Sequence, residues 1–341
     1  MFDGLAEAAA ALGKAFDPPH LEQVVGALVP AIVFRPAGPE GPVAGGSQIG
    51  GTPDVPAGFV WPRPTPLADA RELAGRANTE MGQEMLAHIE LGLPYAFVAQ
   101  VDLGEAAKLG DVAANLPSNG RLLFFYDFPT GPWDTGTRSA RVIWDTSPTG
   151  NLAPAPVPDD LAAAVRSELD ELGDLRPDGK GGTNYGAPRR PMTLSATWRL
   201  PHPAALESEE LLSSGTADTD GEAETFREDY GEAVEAHHDG YTRELWRRQQ
   251  LLGSPQPEQD DPRLNAVVVS KFGVQHLSRE VWKERYPAIK AEAAEWTLLL
   301  QLDVGDWMQA KFVEGTVYFV IRRDDLEGRR FEKVVAVYQQ T

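Results

Sequence analysis

A seven-residue phrase occurs twice in this chain, as Phe97-Val98-Ala99-Gln100-Val101-Asp102-Leu103 and as Leu298-Leu299-Leu300-Gln301-Leu302-Asp303-Val304. Each copy is followed by a glycine and an aromatic-rich apolar run, Gly120 to Tyr126 in the first case and Gly315 to Ile321 in the second. The spacing from aspartate to glycine shrinks from 18 positions to 12. Short apolar runs rich in aromatic and β-branched residues, bounded by turn residues, are strand signals. Two such units in the same order predict an internally duplicated fold, with residues 1–150 carrying one Gln-x-Asp unit and residues 151–341 the other.

Around these units the pattern reads as follows. Phe2 to Phe16 and Leu21 to Leu28 are predicted helices, the second introduced by Asp17-Pro18-Pro19. Ala31 to Arg35 reads as a strand, and a Gly- and Pro-rich loop runs from Pro36 to Pro64. Leu67 to Leu91 has helical spacing, with Leu73, Ala77, Met81, Met85 and Ile89 on one face. Tyr95 to Asp102, Arg121 to Phe128 and Ala140 to Asp145 are predicted strands. Pro154, Pro156 and Pro158 stiffen Asn151 to Asp160 into an extended connector, the best internal boundary. A helix over Asp159 to Leu172 and a strand over Met192 to Leu200 follow. Glu222 to Leu252 reads as mostly helical, broken at Gly240 and stopped at Gly253-Ser254-Pro255. Arg279 to Tyr286 reads as a short helix or turn before Pro287. Trp296 to Asp303, Thr316 to Ile321 and Val334 to Gln339 are the final strands. Strands of this kind with segregated helices predict an α+β class, β-rich, with antiparallel or mixed sheets and peripheral helices, rather than a doubly wound parallel sheet.

Composition excludes several function classes. Fifty-one acidic against 31 basic residues give a formal net charge of −20, which disfavours nucleic-acid backbones and anionic membranes as partners and favours a basic protein. The excess is local, with 12 Asp or Glu against one Arg between Ala204 and Gly240, which reads either as a solvated acidic insertion or as a charged docking face for a cationic protein. The chain has no cysteine, so thiolate nucleophiles, disulfides and thiolate metal sites are absent. The first 16 residues carry Asp3 and Glu7 where a secretory signal needs positive charge, and the longest apolar stretch, Val24 to Phe34, is short for a membrane span and broken by Pro30. A cytoplasmic location is the expectation.

The Gln-x-Asp units carry the clearest chemical hint. In a strand Gln100 and Asp102 share one face while Ala99, Val101 and Leu103 take the other, and Gln301 with Asp303 repeats the arrangement. At a pseudo-twofold seam the four side chains would converge, and Asp102 and Asp303 could act as acid and base or hold a hard cation. Alternatively each Gln satisfies nearby backbone groups and each Asp caps the loop after its strand. Trp61 beside Pro62 and Trp133 beside Pro132 are candidates for lining a groove, or for packing beneath their loops.

Other motifs predict less. His237-His238-Asp239 lacks a completing partner for zinc, since adjacent helical residues point about 100° apart. Gly45 to Gly51 lacks the spacing of a phosphate-binding loop, and Gly179-Lys180-Gly181-Gly182-Thr183 lacks the upstream glycine of a Walker loop. No Gly-x-Ser-x-Gly elbow is present. No metal and no cofactor are expected.

Ser47-Gln48-Ile49-Gly50-Gly51-Thr52-Pro53, Trp61-Pro62, Ala99-Gln100-Val101-Asp102-Leu103, Gly120 to Tyr126, Leu252-Gly253-Ser254-Pro255 and Leu300-Gln301-Leu302-Asp303 with Tyr318-Phe319-Val320-Ile321 together resemble the YwqG-like family, also called the DUF1963 family. The resemblance implies a duplicated, β-rich α+β fold in a cytoplasmic bacterial protein, and no established activity. Two features depart from the family pattern. Lys311-Phe312-Val313-Glu314-Gly315 stands where relatives carry Trp-Gly-Asp-x-Gly, and the Leu67 to Leu91 segment is an insertion.

Two functions from different classes follow. The first is a non-enzymatic protein- or ligand-binding module that neutralises a basic protein partner. The second is a hydrolase or lyase using the paired carboxylates at the duplication seam, with or without a divalent metal.

Overall fold

Both copies of the phrase form strands in the computed structural model, which describes residues 1–38, 43–173, 175, 181–213, 220–237, 248–310 and 313–340. The strands are β1 (Val29–Pro36), β2 (Gln48–Ile49), β3 (Asp54–Pro56), β4 (Ala96–Asp102), β5 (Arg121–Tyr126) and β6 (Ala140–Asp145), then β7 (Leu152–Pro154), β8 (Arg190–Arg199), β9 (Gln250–Leu251), β10 (Trp296–Asp303), β11 (Thr316–Arg322) and β12 (Val335–Gln339). Ten of them form one sheet in the order β12-β11-β10-β9-β1-β8-β2-β4-β5-β6, while β3 pairs with β7. The described pairings are antiparallel.

The order is symmetric about the central β1–β8 pair. Each half contributes a two-residue strand, a Gln-x-Asp strand and two further strands running outward. The central strands are exchanged: β1 of the first half pairs with β9 of the second, and β8 of the second pairs with β2 of the first. The symmetry extends to irregularities. β4 has a register shift between Phe97 and Ala99, and β10 has one between Leu298 and Leu300. A bulge interrupts strict alternation. Val98 and Ala99 therefore both join the central core cluster while Phe97 joins another, and Leu299 and Leu300 do the same while Leu298 departs.

The sheet is folded over on itself. Phe124 of β5 and Phe319 of β11 have ring centroids 5.3 Å apart although six strands lie between theirs. Seven inter-strand spacings in a flat sheet would separate them by about 34 Å. Phe128 stacks on Trp307 at 4.4 Å, and the Trp307 indole N–H donates to the Val98 carbonyl at 3.1 Å. In the loop before β6, Gly136 exchanges two backbone hydrogen bonds with Ala336 of β12, at 3.1 and 3.0 Å, which ties the β5–β6 end of the sheet to β12. The enclosed core draws on both halves, including Val101, Leu122, Phe124, Leu302, Phe319 and Ile321.

Helices cover the outside. α1 (Leu5–Leu12) and α2 (Pro18–Gly26) share an apolar cluster with α7 (Leu206–Ser213) and α8 (Asp220–His237). α3 (Ala70–Ala74) packs on α4 (Thr79–Leu91), and α6 (Asp159–Glu171) buries Leu161 in a cluster with Phe97 and Phe125. α9 (Pro262–Phe272) and α10 (Arg279–Ala293) cover the outer face of β10 to β12. One-turn helices follow three of the strands: α5 (Leu103–Ala107) after β4, α11 (Val304–Met308) after β10 and α12 (Arg323–Glu327) after β11. The α+β class with peripheral helices is the observed one.

Local expectations are corrected in four places. The helix expected over Leu67 to Leu91 is two helices, because Asn78 caps a new start by accepting the Met81 N–H, and this leaves Met81 44% exposed. Gln250 and Leu251 form β9 instead of ending a helix. α10 runs through Pro287 to Ala293, where burial of Ile289 and Ala293 offsets a proline penalty of about 3 kcal/mol. α9 was missed, although Asp261 before Pro262 and a left-handed Gly273 after Phe272 mark both ends.

Candidate functional site

The Gln-x-Asp side chains lie on the outer face of their strands, since Ala99, Val101 and Leu103 on one and Leu300, Leu302 and Val304 on the other belong to the enclosed core. There each glutamine braces the loop beside it. Gln100 is fully buried, accepts the Asp54 N–H at 2.8 Å and donates to the Gly46 carbonyl at 2.8 Å. Gln301 accepts the Gln256 N–H at 2.9 Å and donates to the Arg248 carbonyl at 3.1 Å. The braced loops are themselves alike. Gln48 donates to the Gly50 and Thr52 carbonyls at 3.3 and 2.7 Å, and Gln250 donates to those of Leu252 and Ser254 at 2.7 and 2.8 Å. Gly50, Gly51 and Gly253 all have positive φ, and Leu252 adopts φ 58° at the position of Gly50.

The aspartates cap helices. Asp102 accepts the Gly104 N–H at 2.8 Å at the start of α5, and Asp303 accepts the Asp306 N–H at 2.7 Å at the start of α11. Their own N–H groups donate to Ser47 Oγ and Gln249 Oε1, which hold equivalent places. Asp303 also pairs with Arg248 at 2.7 Å. Burial raises the Asp303 carboxyl above its ordinary value against the opposing pull of the Asp306 N–H and Arg248. The structure thus brings each Gln–Asp pair onto its own half's loop, and no described hydrogen bond links the two pairs.

The candidate tryptophans are not equivalent. Trp61 is 8% exposed, donates its indole N–H to the Tyr95 carbonyl at 2.8 Å and packs edge-on against Phe125. Trp133 is half-buried beside the α3–α4 pair, and its carbonyl accepts from Arg76. His237 stands at the end of α8, tilted against Phe2, whereas His238 and Asp239 lie outside the described residues, as do Gly179, Lys180, Lys311 and Phe312. Among the described residues no group of three or more His, Cys, Asp or Glu is arranged to hold a metal ion. No helix among them is long and apolar enough to cross a membrane.

Three features escaped the sequence. One is a buried chain in which His88 Nε2 lies 2.9 Å from Asp127 and Nδ1 lies 3.4 Å from the Tyr185 hydroxyl, whose pKa burial pushes up to about 12. Another is an ion network of Arg263, bidentate to Glu207 at 2.6 and 2.7 Å and 2.6 Å from the buried Asp261. The third is a cleft of about 270 Å³ bordered by the first residues of β1 and β10. Contacts between residues so far apart in sequence leave no periodic trace.

The acidic insertion forms a charged helix face. In α8, Phe226, Tyr230, Ala233 and Val234 are buried, and Glu224, Glu228, Glu232 and Glu235 are exposed at intervals of four, four and three residues, with Asp229 beside them. Side chains three and four apart share a helix face. Among the described residues none of these five carboxylates forms a salt bridge, whereas Glu209 on α7 pairs with Lys290 at 2.6 Å.

The family model described as "Domain of unknown function (DUF1963)" matches residues 47–339, which take in both Gln-x-Asp strands and both braced loops. No curated protein matches the chain.

Proposed function

The chain belongs to the DUF1963 family, and we propose that it is a non-catalytic binding protein whose α8 face docks and neutralises a basic protein. The observation that carries this is the row of unpaired carboxylates on α8. Like charges four apart destabilise a helix by about 0.2–0.5 kcal/mol per pair. Glu224–Glu228 and Glu228–Glu232 stand at that spacing, and Arg227, the one cation among them, donates to the Leu212 carbonyl at 3.1 Å and forms no salt bridge with either neighbour among the described residues. A basic surface laid against the row would relieve the repulsion and add charge-assisted contacts. The field of a chain with net charge −20 would steer such a partner inward.

The acid–base reading draws less support. Asp102 and Asp303 each accept a helix N-terminal N–H, and each belongs to a strand whose inward neighbours separate it from the other half. A carboxylate committed in this way is a poor proton carrier.

The test compares wild type with an E224Q/E228Q/E232Q/E235Q variant as baits in extract from the source cells, at about 50 and about 300 mM salt, where screening shortens from roughly 14 to 6 Å. The proposal expects a basic protein retained by wild type at low salt, released at high salt and lost with the variant. Equal retention by both baits, or binding indifferent to salt, would sink it.

A further inference from the structure

The cleft of about 270 Å³ borders a strand edge that the first half covers and the second leaves open. Asp102 and Asp303 hold equivalent places, and Tyr95 and Trp296 each stand seven residues before them, across equivalent register shifts. Tyr95 leads into β4 and Trp296 opens β10, so the two residues meet the sheet in the same way.

The hydrogen-bond pattern fixes where the Trp296 main chain points. The Arg323 N–H donates to the Glu295 carbonyl at 2.9 Å, so Glu295 faces the β11 side. Trp296 stands opposite Arg322, the next pair in the antiparallel register. Bonded and non-bonded pairs alternate along such a ladder, so the Trp296 N–H and carbonyl point away from β11. On that side β9 reaches only Leu300 and Gln301. The chain then turns off at Leu252-Gly253 toward β1, so closely that a Cβ on Gly253 would stand 2.7 Å from Ala31 Cβ. The cleft occupies the space left between, lined by Trp296 and Thr297 of β10 and by Val29, Pro30, Leu252 and Gly253.

The first half closes the equivalent edge with its own chain. The Tyr95 N–H donates to the Pro62 carbonyl at 3.2 Å, and the Tyr95 carbonyl accepts the Trp61 indole N–H at 2.8 Å. Trp61 stands seven residues after Asp54, whose N–H is held by Gln100, and the residue seven after Gln256, held in the same way by Gln301, is Arg263. Arg263 lies in α9 and is committed to Glu207 and Asp261. Among the described residues, neither main-chain group of Trp296 has a hydrogen-bond partner. The Trp296 indole plays no part, being packed with Leu264, Ile289 and Leu298. Main-chain groups at a buried position are normally paired, and an open strand edge is a template for a further strand.

We propose that this cleft receives an extended segment of a partner protein, added as a further short strand to the open edge of β10. A carbonyl of the segment accepts the Trp296 main-chain N–H, and an N–H of the segment donates to the Trp296 carbonyl. These are the two bonds that Pro62 and Trp61 supply to Tyr95 in the first half. The pairing rests on main-chain groups, and apolar side chains suit a lining that includes Val29, Leu252 and Leu326. The edge is separate from the α8 face, and neither proposal depends on the other.

The test is residue-by-residue amide hydrogen exchange of the full chain by NMR. Without peptide, the Trp296 amide should exchange at least about tenfold faster than the Tyr95 amide, whose donor is covered. The probe is acetyl-Ala-Val-Ala-amide, and the control is the same peptide N-methylated at every residue, which has lost the donors a strand needs. The probe at about 10 mM, enough to saturate a millimolar dissociation constant, should slow Trp296 exchange and shift its amide signal, and the control should do neither. Val29→Trp, which fills the cleft, should abolish the response while the other amide signals stay in place. A Trp296 amide as protected as that of Tyr95, no response to the probe, or an equal response to the methylated control would each overturn the proposal. Slowing on concentrating the protein without peptide would assign the edge to a second copy and overturn the choice of partner.

Discussion

If the two glutamines are braces, replacing either by leucine must weaken the fold by a calculable amount. Gln100→Leu strips the Asp54 N–H and the Gly46 carbonyl of their partners at a position with no exposure to solvent. Each unsatisfied buried group costs about 1–3 kcal/mol. The two groups together lose about 2–6 kcal/mol, and burying leucine atoms in place of the amide returns about 1–2 kcal/mol, which leaves a net loss of about 0–5 kcal/mol, centred near 2.5 kcal/mol. Gln301→Leu strips the Gln256 N–H and the Arg248 carbonyl, so the same range applies. The two sites share no partner and four strands separate β4 from β10, so the losses should add to within about 0.5 kcal/mol. Urea unfolding followed by tryptophan fluorescence and by far-ultraviolet circular dichroism measures this, and coincidence of the two transitions checks that a single free energy applies. Groups held for catalysis behave in the opposite way, since their removal tends to leave stability unchanged or improved. A shift below about 0.5 kcal/mol in both single variants would refute the bracing argument.

Arg263→Met should be among the most damaging single changes, by about 3–5 kcal/mol, because it leaves the buried Asp261 and the partly buried Glu207 without their shared cation; the urea midpoint reads it, and a loss below about 1 kcal/mol would count against the network. For Glu207, burial pushes the carboxyl upward, but hydrogen bonds and charge from Arg263, with Ser254, outweigh it and hold the group below its ordinary value. A depressed carboxylate contributes stability above its unfolded pKa and loses it as pH falls through the folded one. The stability gap between wild type and Glu207→Gln should therefore narrow on acidification below the ordinary carboxylate range, as pH-resolved thermal unfolding would show, and a gap that widens would reverse the sign. Gly131→Ala would place a Cβ 2.2 Å from the ring of the fully buried Tyr126, whereas Gly150→Ala meets nothing within 4 Å. The first should cost about 3 kcal/mol or more and the second less than about 0.5 kcal/mol in the same assay.

The duplication was legible because Gln100-x-Asp102 and Gln301-x-Asp303 do the same backbone work, and identical work leaves identical residues. Their partners were on the page too. Gln48 precedes Gln100 by 52 positions and Gln250 precedes Gln301 by 51, yet the surrounding phrases differ, because Gly50-Gly51 becomes Leu252-Gly253 in the second copy. The equivalence is one of backbone path, since all four residues have positive φ, and a leucine in that conformation hides it. β9 was lost for a related reason. Two residues cannot show a period, and Gln250-Leu251 sits at the end of a long stretch of helix-forming composition. The cleft and the Arg263 network were invisible because their members come from segments whose proximity depends on the exchanged central strands.

That exchange also bears on where function resides. The connection from β1 to β2 spans residues 37–47, whereas the equivalent connection from β8 to β9 spans 200–249 and contains α7 and α8. The braces, caps and bulges close in the same way in both halves, so the sheet does not require the longer connection. What the longer connection adds is a layer that buries Phe226 and Tyr230 against α1 and α2 and turns an unpaired acidic row outward. A duplicated scaffold diverges freely only where its closing interactions are indifferent to length and composition. The acidic helix lies at such a place. In this chain the repeated residues carry the frame, and the candidate docking face arises from what the halves do not share.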